Sequence, residues 1–178
     1  MRSIPPSARP VPKRWPDVAH WRSFISIVLL GLVVDQATKL YIHGTMALYH
    51  SIPVIDGFFS ITYLRNRGAA FSFLADAHWR LPFFILVTLV ACVAILVVVH
   101  RTQREQRLAR TALAMIFSGA VGNLIDRVRL GEVIDFLDVY WKNHHWPAFN
   151  VADSLICVGV ALMVFEMLRE ERAAAKAG

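Results

Sequence analysis

The residues best suited to chemistry are carboxylates, amides and bases that gather at the ends of long apolar runs: Asp35 and Lys39, then Asn123, Asp126 and Arg127, then Asp135, then Asn150 and Asp153. Ionisable groups at membrane depth are costly, so the places where they collect mark function. Asn123, Asp126 and Arg127 stand at i, i+3 and i+4, and so do Asn150, Asp153 and Ser154, which puts each trio on one helical face. Two carboxylates held close together cannot easily both ionise, so one keeps a proton. The protonated member can polarise a carbonyl while the ionised one draws a proton from water, the device of aspartic proteases. Asp153 falls in the first turn of its helix, where the dipole favours the charged form, so it can serve as the resting base. Exchange of roles with Asp135 stays open, and any titration belongs to the pair.

Other devices find less support in the residues. The His at 20, 43, 50, 78, 100, 144 and 145 lie mostly in tails and loops, with no HExxH, so no metal site and no cofactor is expected. Asp135 and Asp138 form a DxxD that could hold Mg²⁺ against a lipid phosphate, the chemistry of a headgroup transferase. A proton-coupled transporter also uses membrane carboxylates, but it needs them near the bilayer midplane. A serine nucleophile at Ser118-Gly119 has no His with an evident route to it.

The elements that must position these groups are membrane spans. Of 178 residues 56% are hydrophobic and 18% charged, where soluble domains carry roughly 25% charge. The net charge is +6 and the mean hydropathy +0.48, so basic residues decorate an apolar body and no nucleic-acid-binding face is expected. Crossing a bilayer takes about 20 helical residues. Four runs qualify: 23–42, 81–99, a third from 111 that meets Asp126 and Arg127 at its end, and 151–168. Each must be helical, because lipid offers the backbone no other partner. Arg2, Arg9, Lys13, Arg14 and Arg22 precede the first run, Arg101, Arg104, Arg107 and Arg110 separate the second and third, and Arg169, Arg172 and Lys176 follow the fourth. By the positive-inside rule both termini are cytoplasmic, and the polar ends of the spans meet at the outer surface.

The expected organisation is a proline-rich cytoplasmic leader at 1–22, a membrane unit at 23–168 and a cytoplasmic tail at 169–178. The first run has no small-x-small cleavage site after it and reaches spanning length, so it is read as a span and not as a cleaved signal. The outer segment 43–80 contains SIPVI and FFSITYL separated by Asp56-Gly57, a hairpin signal, with Asn66-Arg67-Gly68 as a second turn. A small extracytoplasmic sheet is expected there. The segment 130–148 mixes Asp135 and Asp138 with Tyr140, Trp141 and Trp146, the composition of the headgroup level, and His144 and His145 read as exposed loop residues. Ala114, Ser118 and Gly122 form a stripe of small residues on the third span, with the fourth as its natural neighbour. Cys92 and Cys157 read as small core hydrophobes.

Five blocks in order then carry a family resemblance: DQATK at 35–39, NRGAAFS at 66–72, GAVGNLIDR at 119–127, GEVIDFLD at 131–138 and FNVADS at 149–154. The chain resembles the lipoprotein signal peptidase (signal peptidase II) family along nearly its whole length after the leader. The resemblance implies an aspartyl endopeptidase of the bacterial inner membrane, an all-α integral membrane protein with four transmembrane helices and a small extracytoplasmic β-sheet. It implies removal of the signal peptide from diacylglyceryl-modified prolipoproteins, N-terminal to the lipidated cysteine, with the site near the periplasmic face. The family's catalytic pair falls on Asp135 and Asp153, and its supporting positions on Asp35, Lys39, Asn66, Gly68, Asn123, Asp126, Arg127 and Asn150. The implied partners are diacylated prolipoproteins, membrane phospholipid and globomycin-type inhibitors, with a monomer as the working unit. Ser118 stands where the family commonly has glycine. Among the supporting residues, Asp35 and Lys39 at i and i+4 read as a structural ion pair. Asp126 and Arg127 read as orienting groups. Asn66 and Asn150 suit hydrogen bonding to substrate or carboxylates as well as turn and N-cap duty.

Overall fold

The computed structural model describes residues 18–68, 78–103 and 106–177. The leader up to residue 17 and residues 69–72 of the NRGAAFS block lie outside the described residues. The element order is α1 (Val18–Thr45), β1 (Ser51–Ile55), β2 (Phe59–Asn66), α2 (Arg80–Arg101), α3 (Arg107–Leu130), β3 (Val133–Trp141), β4 (His144–His145) and α4 (Val151–Ala177). All four helices are long and apolar enough to cross a membrane. Each runs past the expected span, and α4 continues as helix through the stretch read as a tail.

The polarity of the bundle is that of a protein solvated by lipid. Leu30, Val33, Val90, Val93, Phe165 and Met167 are exposed, whereas Asp35, Lys39, Ser118, Asn123, Asp126 and Asn150 are buried. With lipid outside there is no apolar penalty for an exposed Leu, and buried polar groups must find one another. The helix α3 is the central column, packed on α1, α2 and α4. Its small-residue stripe faces chiefly α1, with α4 touched only at Gly122, which also lies against Ala152. Ser118 Oγ donates to Val28 O at 3.1 Å, Ala114 packs with Phe24 and Val28, and Gly122 lies against Asp35. The main contact with α4 runs through Gly119, where a Cβ would run into the Ala152 carbonyl oxygen, and through Gly159 against Ala112 and Ile116. Neighbouring helical positions point about 100° apart, so a one-residue difference decides which helix is met.

The strands form one four-stranded sheet in the order β1-β2-β3-β4, each pair antiparallel. The hairpin turns at Gly57, φ +76°, as its Asp-Gly signal requires. The second half of the sheet, β3 and β4, comes from the segment read as an interfacial loop. VIDFLDVYW is rich in β-branched and aromatic residues, but Asp135 and Asp138 interrupt its apolar pattern. Ile42 from α1, Tyr63 from β2 and Ile134 and Phe136 from β3 form a buried cluster that seats the sheet on the end of the bundle. The helix α3 ends at Gly131, φ +72°, whose N–H bonds Arg127 O at 2.9 Å, a left-handed C-cap that turns the chain directly into β3.

Adding one methyl at the α3–α4 contact tests this packing. Gly119→Ala is expected to cost about 1–3 kcal/mol of overpacking, read as a lower unfolding temperature in detergent micelles. Gly44→Ala, where a Cβ meets nothing within 4 Å, is expected to leave that temperature unchanged or raise it.

Candidate active site

Asp135 lies on β3 and Asp153 in the first turn of α4, and both face one network of amides. Asn66 Nδ2 donates to Asp135 Oδ2 at 2.9 Å and Asn150 Nδ2 to Asp135 Oδ1 at 2.8 Å. Asn123 Nδ2 donates to Asp153 Oδ1 at 2.8 Å, and the backbone N–H of Asn150 to Asp153 Oδ2 at 3.1 Å. In return Asp153 N–H donates to Asn150 Oδ1 at 3.0 Å, so Asn150 and Asp153 close a reciprocal capping box at the start of α4. Asn150 therefore caps a helix and bonds both carboxylates at once. Register supplies Asn66: β2 and β3 pair Leu64 with Asp135 and Asn66 with Val133, which lays the end of β2 beside the acid. Asn66 Oδ1 also accepts from Gly68 N–H at 2.9 Å, an Asx turn that fixes the amide's direction.

Behind the amides sits a second, fully enclosed cluster. Lys39 Nζ lies 3.1 Å from Asp35 Oδ2 and 3.0 Å from Asp126 Oδ2, and donates to Asn123 Oδ1 at 2.9 Å. Those partners match the three donors of an ammonium. With Asn123 Oδ1 held by the cation, its Nδ2 has to face Asp153. The two carboxylates also tie other elements down: Asp35 Oδ1 accepts from Ala152 N–H at 2.9 Å, an orphan donor of the α4 N-terminus, and Asp126 Oδ2 accepts from Ile134 N–H on β3 at 3.2 Å. Asp35 and Lys39 thus form the structural ion pair their spacing suggests.

The pair opens on a cavity of about 750 Å³. It is lined by Phe84, Val87, Thr88 and Ala91 of α2, by Ala120 of α3 and by the segment from Trp146 to Phe149. Arg127 and Gly68 line it too. Arg127 parts company with Asp126: its guanidinium lies over the Phe84 ring, 4.9 Å from the centroid, and its Nη2 is 3.5 Å from Gly68 O. Burial pushes the Asp135 carboxyl up from the ordinary 3.8 to about 7, and the neighbouring Asp153 charge pushes the same way. The Asn66 and Asn150 amides and the Lys39 ammonium oppose that shift.

Several sequence readings change here. Cys157 is exposed and lines the cavity, whereas only Cys92 is a buried core thiol. Asp138 does not join Asp135: three residues along one strand point to opposite faces, and Asp138 accepts from Thr62 Oγ1 at 3.2 Å and lies 2.8 Å from His145 Nδ1. The DxxD is therefore no convergent Mg²⁺ site. His145 is half-exposed, as a loop residue is expected to be, yet it is stacked on Tyr140 within β3–β4. Arg67 pairs with Glu132 at 2.7 Å. Gln36, which sequence reasoning passed over, donates to Asp35 Oδ2 at 3.0 Å and to Gly122 O at 3.2 Å; its place between Asp35 and Lys39 was the available signal. The α2 wall had none beyond its spacing, since that helix reads as an uninterrupted apolar run.

Membrane-spanning helices that close around one buried and one half-buried carboxylate, bridged by amides at the head of an apolar groove, define an integral membrane protein with an acid pair. A family model described as signal peptidase (SPase) II matches residues 27–169. Lipoprotein signal peptidase of Geobacter sulfurreducens is 70% identical over 152 residues, which cover 85% of this chain and 95% of the relative. That of Geobacter metallireducens is 62% identical over 157 residues, 88% of this chain and 97% of the relative. The fold is also that of a bacterial membrane enzyme solved by the in meso method at 2.3 Å resolution, with TM-score 0.76 and 33% identity over 84% of this chain and 90% of the other. The chain belongs to the signal peptidase II family.

Removing the buried cation leaves two enclosed carboxylates without their partner. Lys39→Met is expected to cost about 3–5 kcal/mol, measured as loss of unfolding free energy in micelles. Lys39→Arg is expected to recover little of it, because a planar guanidinium replaces a compact ammonium in a space with no room.

Proposed function

We propose that this signal peptidase II cuts diacylglyceryl-modified prolipoproteins on the N-terminal side of the lipidated cysteine, with Asp135 and Asp153 as its catalytic pair. The observation that carries the reading is Asn150, whose backbone and side chain bond one carboxylate each at the head of a single groove. Asp135 holds the shared proton at rest: it is the more buried of the two acids, and burial favours its neutral form. Asp153 is the base, since it has a helix N-terminus, the Asn123 amide and the Asn150 N–H on its oxygens.

The chemistry then follows without a covalent intermediate. The Asp135 O–H donates to the scissile carbonyl oxygen while Asp153 takes a proton from the attacking water. The water oxygen bonds the carbonyl carbon, giving a tetrahedral diol. Asp153 returns its proton to the departing amide nitrogen, the C–N bond breaks, and Asp135 recovers its proton from the diol. The products are a signal peptide with a new carboxyl terminus and a lipoprotein with a free cysteine amine. Asn66, Asn123 and Asn150 hold the carboxylates in register, Lys39, Asp35 and Asp126 hold Asn123, and Arg127 and Gly68 border the space where peptide must lie.

The same reading puts the protein in the bacterial inner membrane with both termini cytoplasmic and the pair near the periplasmic face, supported by the Lys and Arg gathered on the terminal side of the spans. Residues 23–168 make up the peptidase unit, between the leader and a cytoplasmic end. The working unit in this reading is a monomer among phospholipids, since both acids and the amides that hold them come from one chain. Globomycin-type peptides would compete for that cavity.

Cleavage of a diacylated precursor by purified protein tests the assignment. Asp135→Asn and Asp153→Asn are each expected to lower kcat by about 10²–10⁴ while precursor binding persists, and a chelator is expected to change nothing; two active variants would refute it. Because the folded Asp135 group is raised from 3.8 to about 7, its proton is present below that pH and lost above it. Activity is therefore expected to fall on the alkaline side of about pH 7. Folding stability falls in the same direction between 3.8 and about 7, since the folded state holds the proton more tightly than the unfolded one.

A further inference from the structure

Strand β1 and the turn that joins it to β2 make none of the hydrogen bonds of the carboxylate network, which β2 enters only at its far end through Asn66, and their surface is unlike that of a strand in water. Between residues 46 and 59 the one formal charge is Asp56. Leu48, Tyr49, Ile52, Val54, Ile55 and Phe58 are all exposed, Val54 at 56% and Tyr49 at 73%. Every residue of β1 is exposed, so both faces of the strand stand clear of the body. So many exposed apolar side chains in one short segment mark a contact with something apolar.

Continuity with the bundle says what that is. Leu40 and Tyr41 are exposed on α1, a span whose outward face meets lipid, and only five residues separate the end of α1 at Thr45 from β1 at Ser51. Exposed apolar side chains thus occur on the lipid-facing side of a span and again on the hairpin, with the exposed His43, Gly44 and Thr45 and the half-buried Met46 among the residues between. The strand edge sets how deep it can go. Unpaired N–H and C=O groups are not tolerated in hydrocarbon, but headgroups and their water satisfy them, and Pro53 leaves one N–H fewer along β1. Tyr49 adds a marker of that level. It is a bulky residue at φ +67°, a conformation worth strain, held by its N–H on Tyr63 O at 2.8 Å, and its ring is turned outward as aromatic side chains are at a membrane interface.

We infer that the β1–β2 hairpin is seated, edge strand first, at the boundary between headgroups and acyl chains of the outer leaflet, and that it thereby sets the height of the carboxylate pair. The coupling is the sheet itself. Ser51 pairs with Thr62 on β2, and two residues further along β2 Leu64 pairs with Asp135, so β1 lies two strand spacings, roughly 10 Å, from the acid. A substrate anchored by two acyl chains presents its scissile bond at a fixed height above its glycerol, and here the inference rests on the reading given under Proposed function.

Spin labels on the full chain test the seating without any need for cleavage. Val54→Cys and Phe58→Cys, each with Cys92→Ala and Cys157→Ala, are labelled with a nitroxide and reconstituted in phosphatidylethanolamine–phosphatidylglycerol vesicles. Collision with oxygen is expected to exceed collision with a water-soluble nickel chelate at both sites, as for a label at Tyr41→Cys. Nickel access equal to that of a label at Lys176→Cys, meaning a solvated hairpin, would overturn the inference. So would exclusion of both reagents, meaning a second copy or another protein covers it. The depth-setting role is read separately: Val54→Asp and Phe58→Asp are expected to lower cleavage about tenfold in vesicles with detergent turnover retained. Equal loss in both media, or no loss in vesicles, would refute that role while leaving the catalytic assignment intact.

Discussion

A lysine ammonium at membrane depth is costly unless its charge and all its donors are satisfied, and the way Lys39 is satisfied organises the rest of the molecule. Its partners Asp35, Asp126 and Asn123 come from two helices, and these side chains also reach the first turn of α4, the start of β3 and the carboxylate of Asp153. One enclosed cation thus joins α1, α3, α4 and the sheet at the level where the acids sit. In lipid, where apolar contact alone does not drive helices together, such polar closure also gives the bundle a unique register.

The site inherits its asymmetry from that closure. The Lys39 ammonium turns the Asn123 amide, and the amide turned that way can only donate to Asp153. Asn150 is fixed by its capping box and donates to both acids. Asp135 is held by amides on a strand, without a helix terminus of its own. Two chemically identical side chains sit on different scaffolds, one at a helix N-terminus and one in a buried strand, and the roles proposed for them follow that difference. The groove beneath them is walled by apolar and small residues, which suits lipid-linked peptide better than a hydrated one.

Much of this was legible in the residues, and what was not had physical causes. The runs without charge announced the four helices, and the trios at i, i+3 and i+4 announced which ends were polar. The trio at 123, 126 and 127 did not say that its members would diverge, with Asp126 turned inward to Lys39 and Arg127 outward to Phe84; adjacent positions differ by a rotation whose destination depends on the neighbouring helices. The stripe Ala114, Ser118 and Gly122 was visible as small but carried no mark of its partner, and α1 took it. Strand β3 was hidden because two acids break its apolar alternation, one of them the catalytic candidate. Cys157 looks like any apolar core residue until the cavity beside it is seen.

The single shared proton is the claim on which the chemistry turns, and infrared difference spectroscopy of the reconstituted protein observes it directly. At pH 6 a protonated-carboxyl stretch is predicted that disappears in Asp135→Asn and titrates away near pH 7 in the wild-type chain. A spectrum in which Asp135→Asn removes no such band at pH 6 would contradict the account.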